Sequence, residues 1–170
     1  MSISSAARRV ARLLKATGCK VVFAESCTGG LVSGALTKIP GISNHHCGGV
    51  VVYRNETKAA YLNIPAKLLD NPGPVSTEVA KLMAARILAI TPEADVALSV
   101  TGHLGPHAPA GLDGQIFTAI SWHRARRRSP AKLYVRALQC DRHDSRARRQ
   151  KWVVEQVLCL LGDELEAALK

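Results

Sequence analysis

Apolar residues recur at a helical spacing from the start of the chain. In SAARRVARLLKATG, Ala6, Val10, Leu13 and Leu14 share one face, and the arginines and Lys15 take the other. Ser4 or Ser5 can cap this helix and Gly18 can end it. The apolar run after Lys20, VVFA, is short and reads as a buried strand. It passes directly into Glu25-Ser-Cys-Thr-Gly-Gly30, and LVSGALTKI is then helical up to Pro40. Strand, glycine turn and helix make one βα unit. A second apolar strand, GGVVVY, ends at Tyr53 before the polar segment RNETK.

Pro65-AKLLD predicts a short helix, and Asn71-Pro-Gly-Pro74 breaks the chain. Ser76 caps a long amphipathic helix, TEVAKLMAARILAI, which stops before Pro92. ADVALSV is a strand, and Thr101-Gly102 opens a loop rich in glycine and proline that runs to Gly114. QIFTAISW and AKLYVRALQ are further strands, joined by an arginine-rich turn that reaches Pro130. From His143 a long C-terminal helix carries Trp152, Val153, Val157, Leu158, Leu161 and Leu165 as its apolar positions. This mixture predicts an α/β fold: one three-layer α/β/α domain over residues 1–170, with a mixed β-sheet.

Composition narrows the class. The chain has 170 residues, 47% of them hydrophobic, which suffices for one continuous core. No stretch approaches the ~18 uninterrupted apolar residues of a membrane span. Arg8, Arg9, Lys15 and Lys20 interrupt the N-terminus, which leaves no signal-peptide core. The five cysteines stand far apart with no C-x-x-C pair, which argues against a disulfide framework and a structural zinc site. A reduced, cytoplasmic domain is expected.

The net charge of +10 is concentrated in one place. Residues 124–151 hold eleven Lys or Arg against Asp141 and Asp144, and the rest of the chain is near balance. Only 4% of residues are aromatic, so base stacking along this segment has little support. A basic patch attracts phosphate in any form, or is simply a solvated face.

Ligands of such sheets bind in the loops that leave the strand ends. At the first of these, Ser26 sits on a strand-to-helix turn. Gly29 and Gly30 admit a ligand to the backbone there, and free amides from Thr28 to Gly30 suit an oxyanion or phosphate. The second, Tyr53 to Lys58, supplies a phenol and an amine. A serine needs a base to become a nucleophile, and a desolvated lysine can be that base. On the residues alone, the readier reading makes Ser26 or Thr28 a helix cap, Tyr53 a strand-end aromatic and Lys58 a solvated helix residue. Cys27 is a further nucleophile candidate, or a small turn-packing residue. His45, His46 and Cys47 are adjacent on an extended chain and so point to opposite faces, which argues against a metal.

The runs Ala24-Glu-Ser-Cys-Thr-Gly-Gly30, Pro40-Gly-Ile-Ser43, Gly48-Gly-Val-Val-Val-Tyr53 and Asn55-Glu-Thr-Lys58 resemble the CinA C-terminal domain family, which includes stand-alone nicotinamide-nucleotide amidases. Pro74-Val-Ser76, Thr101-Gly-His-Leu-Gly-Pro106 and Asp141-Arg-His-Asp-Ser-Arg146 extend the resemblance over nearly the whole chain. The resemblance implies hydrolysis of the carboxamide of nicotinamide mononucleotide to nicotinate mononucleotide and ammonia, with no cofactor and no metal. Ser26 would be the nucleophile, activated by Lys58 directly or through Tyr53. Thr101, Gly102 and Arg142 would hold the ribose phosphate with help from Arg146, and Glu25 would buttress the turn or orient Lys58. A pyridine nucleotide is the implied small-molecule partner, and a homo-oligomer the implied assembly.

The chain also departs from the family pattern. Its loop reads His107-Ala-Pro-Ala-Gly-Leu-Asp-Gly114-Gln115, without the lysine usual there; His103 replaces an apolar residue, and Cys140 a glycine. Two other readings therefore stand beside the amidase: a catalytically quiet CinA-like binding module, and a nucleic-acid-binding protein that uses residues 124–151. The resemblance does not extend to the pyrophosphatase-type domain of longer family members.

Overall fold

Side-chain alternation along two central strands decides which helices cover which face of the sheet. In β1 (Val21–Glu25), Val21 and Phe23 point to one face, Val22 and Ala24 to the other. In β3 (Val96–Gly102), Val96, Leu98 and Val100 join the first face and Ala97 the second. The first face packs on α1 (Ile3–Thr17), α2 (Leu31–Thr37) and α6 (Arg146–Ala167). The second packs on α3 (Asn55–Leu62), α4 (Ala66–Asp70) and α5 (Thr77–Ala89). The result is the three-layer α/β/α arrangement. The computed structural model describes residues 2–123 and 133–169.

The five strands lie in the order β2-β1-β3-β4-β5, with β2 at His46–Val51, β4 at Gln115–Trp122 and β5 at Leu133–Gln139. β1 runs parallel to both β2 and β3, whereas β4 is antiparallel to β3 and to β5. The sheet is therefore mixed. Its small side chains face α5: Ser99 donates to the Ala80 carbonyl at 2.6 Å, and Ala119 packs with Ala80 and Ala84. Because β1, β2 and β3 are parallel, their carboxyl ends converge on one edge. Glu25 is level with both Val51 and Val100.

Several boundaries differ from the sequence expectation. α1 begins at Ile3, so Ser2 is its cap; Ser4 falls inside the first turn and accepts from Arg8. β2 ends at Val51, which leaves Tyr53 beyond the strand. The polar segment after it is the start of α3 rather than a loop. α6 begins at Arg146 and not at His143, because the Ser145 hydroxyl accepts from the Arg148 amide. Ser76 caps α5 as expected, accepting from Val79 at 3.3 Å. The arginine-rich stretch 124–132 lies outside the described residues. No helix among the described residues is long and apolar enough to cross a membrane.

Candidate active site

The turn after β1 is built around Glu25. This carboxylate is buried and accepts from the Thr28 hydroxyl at 2.7 Å and from the amides of Gly30, Val32 and Ser33 at 2.9, 3.1 and 2.8 Å. It caps α2 from the strand that precedes it, where negative charge meets the positive helix end. Gly29 and Gly30 adopt positive φ of 64° and 94°, in the left-handed region that glycine enters without strain. Glu25 therefore buttresses the turn and makes no hydrogen bond to Lys58.

This cap changes which amides remain for an oxyanion. The Gly29 amide donates to the Ser26 carbonyl and the Gly30 amide to Glu25. Among the described residues, the Cys27 and Thr28 amides are the two in this turn with no protein acceptor. The expectation that Thr28 to Gly30 would together hold an oxyanion is thus corrected, since Gly29 and Gly30 are already committed. The Thr28 side chain is buried on Glu25.

Lys58 completes the centre. It rises from α3 into the interior, 2% exposed, and its Nζ lies 3.1 Å from Ser26 Oγ, 3.0 Å from the Val52 carbonyl and 3.5 Å from the Tyr53 carbonyl. Among the described residues no carboxylate pairs with it. Burial pushes its pKa below the ordinary lysine range, the direction that favours a neutral amine. A neutral amine has two N–H groups, which the two carbonyls can take, leaving its lone pair for the serine hydroxyl.

Tyr53 is placed differently from the expected relay. Its side chain is exposed, and its hydroxyl accepts from Arg146 Nη2 at 2.7 Å. Only its main-chain carbonyl reaches Lys58. The Ser26–Lys58 contact is direct. Cys27 points away from reactivity, because burial pushes its thiol up to about 12.

A cavity of about 230 Å³ opens over Ser26 and Lys58, with Tyr53, Asn55, Gly102 and His103 among its walls. Thr101 also borders it, but its hydroxyl donates to the Pro74 carbonyl at 2.8 Å. Space at Gly102 is tight: a Cβ there would meet Ile116 Cδ1 and sit 3.0 Å from the Gln115 carbonyl oxygen and 3.2 Å from Cys27 Sγ. Burial also lowers the pKa of the His103 imidazole. A second cavity of about 480 Å³ adjoins the first and is lined by Arg142, Ser145, Arg146 and Arg149. The two share residues 104–108 and Arg146 as a common wall. The structure thus brings Ser26, Tyr53, Lys58, Thr101, Gly102 and Arg146 to one cavity. Arg142 faces the neighbouring one, while Thr28, Gly29 and Gly30 line neither.

Two residues here were not singled out from the sequence. Arg149 is buried and grips Asp113 with both ends of its guanidinium, at 2.8 and 3.0 Å. Its place on the apolar stripe of α6, four residues before Val153 and eight before Val157, was a usable signal. His45 and His46 diverge, His45 to the Cys19 carbonyl and His46 to the Ser33 hydroxyl.

The family model for the CinA C-terminal domain matches residues 3–165. A CinA-like protein of Geobacter metallireducens is 47% identical over 116 residues, which are 66% of this chain and 27% of that protein. The chain spans about a quarter of the length of the curated relatives it matches. Among solved structures, the competence damage-inducible protein A (ComA) of Klebsiella pneumoniae is 26% identical, with a TM-score of 0.88 over 98% of both chains. The competence/damage inducible protein CihA of Agrobacterium tumefaciens is 29% identical, with a TM-score of 0.85 over 99% of this chain and 96% of that one.

Proposed function

The chain belongs to the CinA C-terminal domain family, and from that premise we propose that it is a serine amidohydrolase acting on the carboxamide of nicotinamide mononucleotide. The observation that carries this reading is the buried, carboxylate-free Lys58 amine 3.1 Å from Ser26 Oγ. Burial pushes the Lys58 pKa down, and in its neutral form this amine is a general base already in contact with its nucleophile.

In this reading Ser26 Oγ attacks the amide carbon as Lys58 Nζ takes its proton. The tetrahedral oxyanion is met by the Cys27 amide, the donor of this turn that belongs to a residue bordering the cavity. Lys58 then returns the proton to the departing nitrogen, ammonia leaves, and an acyl ester remains on Ser26. Water attacks this ester with Lys58 again as base, releasing nicotinate mononucleotide and restoring the hydroxyl. The ribose phosphate extends along the shared wall towards Arg142 and Arg146, whose guanidinium groups suit phosphate. Pyridine-nucleotide salvage is the corresponding role.

An ammonia-release assay across pyridine nucleotides and simple amides tests the proposal. Release from nicotinamide mononucleotide that disappears in Ser26→Ala supports it. Tight nucleotide binding with no release from any compound would replace it with the binding-module reading.

A further inference from the structure

We propose that Asp113 and Arg149 form a latch that fastens the loop 103–114 to the start of α6 and so positions the substrate-facing wall. The proposal rests on the amidohydrolase reading for its kinetic consequence, though not for its structural one. Arg149 stands in the first turn of α6 and is 5% exposed. Its Nη1 and Nη2 donate to the two oxygens of Asp113 at 2.8 and 3.0 Å. Its Nε donates to the Asp141 carbonyl at 2.9 Å, and Nη2 also donates to the Arg142 carbonyl at 2.9 Å. Four of the five donors of one guanidinium are thereby used, and they extend the junction beyond the end of the β4–β5 pairing, where the Cys140 amide donates to the Gly114 carbonyl and Gln139 Nε2 to the Asp113 carbonyl.

The latched segments are those that border both cavities. Gly105 lies against the pair so closely that a Cβ there would stand 2.7 Å from Asp113 Oδ1 and 2.9 Å from Arg149 Nη1. The Gly105 carbonyl in turn accepts from Arg146, which also holds the Tyr53 hydroxyl. The order of contact is therefore Asp113, Arg149, the carbonyl of Arg142, and beside them Gly105, Arg146 and Tyr53. Neither latch residue touches Ser26 or Lys58, so both are positioning residues. The Asp113 side chain is 42% exposed, outside the apolar core, so opening the pair frees the loop and leaves the sheet intact. Hydrogen bonding to Arg149 holds the Asp113 carboxyl below the usual carboxylate range, which keeps the latch charged through mildly acidic pH.

Asp113→Asn and Arg149→Lys test the idea in the ligand-free protein and in turnover. Arg149→Lys keeps the charge and loses the fork, so it should behave like Asp113→Asn. Amide hydrogen exchange across 103–114 should rise by about tenfold or more in both variants, with β1 and β3 unchanged. On nicotinamide mononucleotide, KM should rise about tenfold with kcat within about threefold, a loss of binding rather than of chemistry. Unchanged exchange in the loop would overturn the latch. So would exchange rising equally in β1 and β3, or a fall in kcat with KM unmoved. If the unmodified protein releases ammonia from no pyridine nucleotide, the amidohydrolase reading fails, and the exchange result alone still decides the latch.

Discussion

The carboxylate of Glu25, the last residue of β1, accepts the amide of Gly30, the cap position of α2, at 2.9 Å. It holds the Val32 and Ser33 amides as well, so the strand caps the helix that follows it and fixes the turn bearing Ser26. Glu25→Ala should therefore act through the fold. Each hydrogen bond to a charged acceptor contributes about 1.5–3 kcal/mol, so a loss of roughly 3 kcal/mol or more is expected in urea unfolding. Glu25→Gln keeps one good acceptor and should fall between. A loss under about 1 kcal/mol would show that α2 finds another cap.

Ser26 and Cys27 are neighbours with opposite expectations. Ser26→Ala removes the side chain hydrogen-bonded to the Lys58 amine and should reduce ammonia release by on the order of 10³ or more. Cys27→Ala should retain most activity, because a thiol pushed up to about 12 is protonated at neutral pH. Full activity in the serine variant would reverse the assignment.

Lys58 links the reaction to pH. The base form is the neutral amine, and burial lowers the pKa, so kcat/KM should rise with pH and level off below the ~10.4 of a free lysine. Stability follows the same group. Between the lowered folded value and ~10.4, the unfolded chain binds a proton that the native chain does not, so stability rises with pH across that window. Lys58→Met should abolish the rate and flatten this rise. Urea midpoints measured over a pH series check it: an equally steep rise in the variant would assign the slope to another group.

The strand–turn–helix around Ser26 could be read from the sequence because its signals are local: an apolar run, two glycines and a periodic helix. Lys58 was harder. α3 buries only Lys58 and Leu62, four residues apart, so it has no apolar stripe to announce it among RNETK. A lysine inside is legible only once the carbonyls of Val52 and Tyr53 are in place around it. The Asp113–Arg149 pair spans 36 residues and joins a glycine-rich loop to an arginine-rich run, where charge alone reads as solvated surface. The family resemblance, not any local signal, implies Tyr53 as an activating group; the backbone leaves its phenol turned to Arg146.

The two cavity arginines should separate anchoring from assembly. The Arg142 side chain is exposed on the wall of the second cavity, and the contacts in this turn are made by its main-chain carbonyl. Arg142→Ala therefore removes the proposed phosphate partner while keeping the hydrogen bonds of the latch. KM for nicotinamide mononucleotide should rise about ten- to a hundredfold, the value of one charge-assisted contact, with kcat nearly constant. Free nicotinamide has no phosphate, and any turnover of it should not respond. Arg146→Ala should differ, because that side chain holds the Gly105 carbonyl and the Tyr53 hydroxyl on the wall of the reacting cavity. Both substrates should then suffer. Steady-state kinetics of the two variants on both compounds make the comparison. If Arg142→Ala costs equally on nicotinamide and on its nucleotide, the arginine supports the turn and not the phosphate.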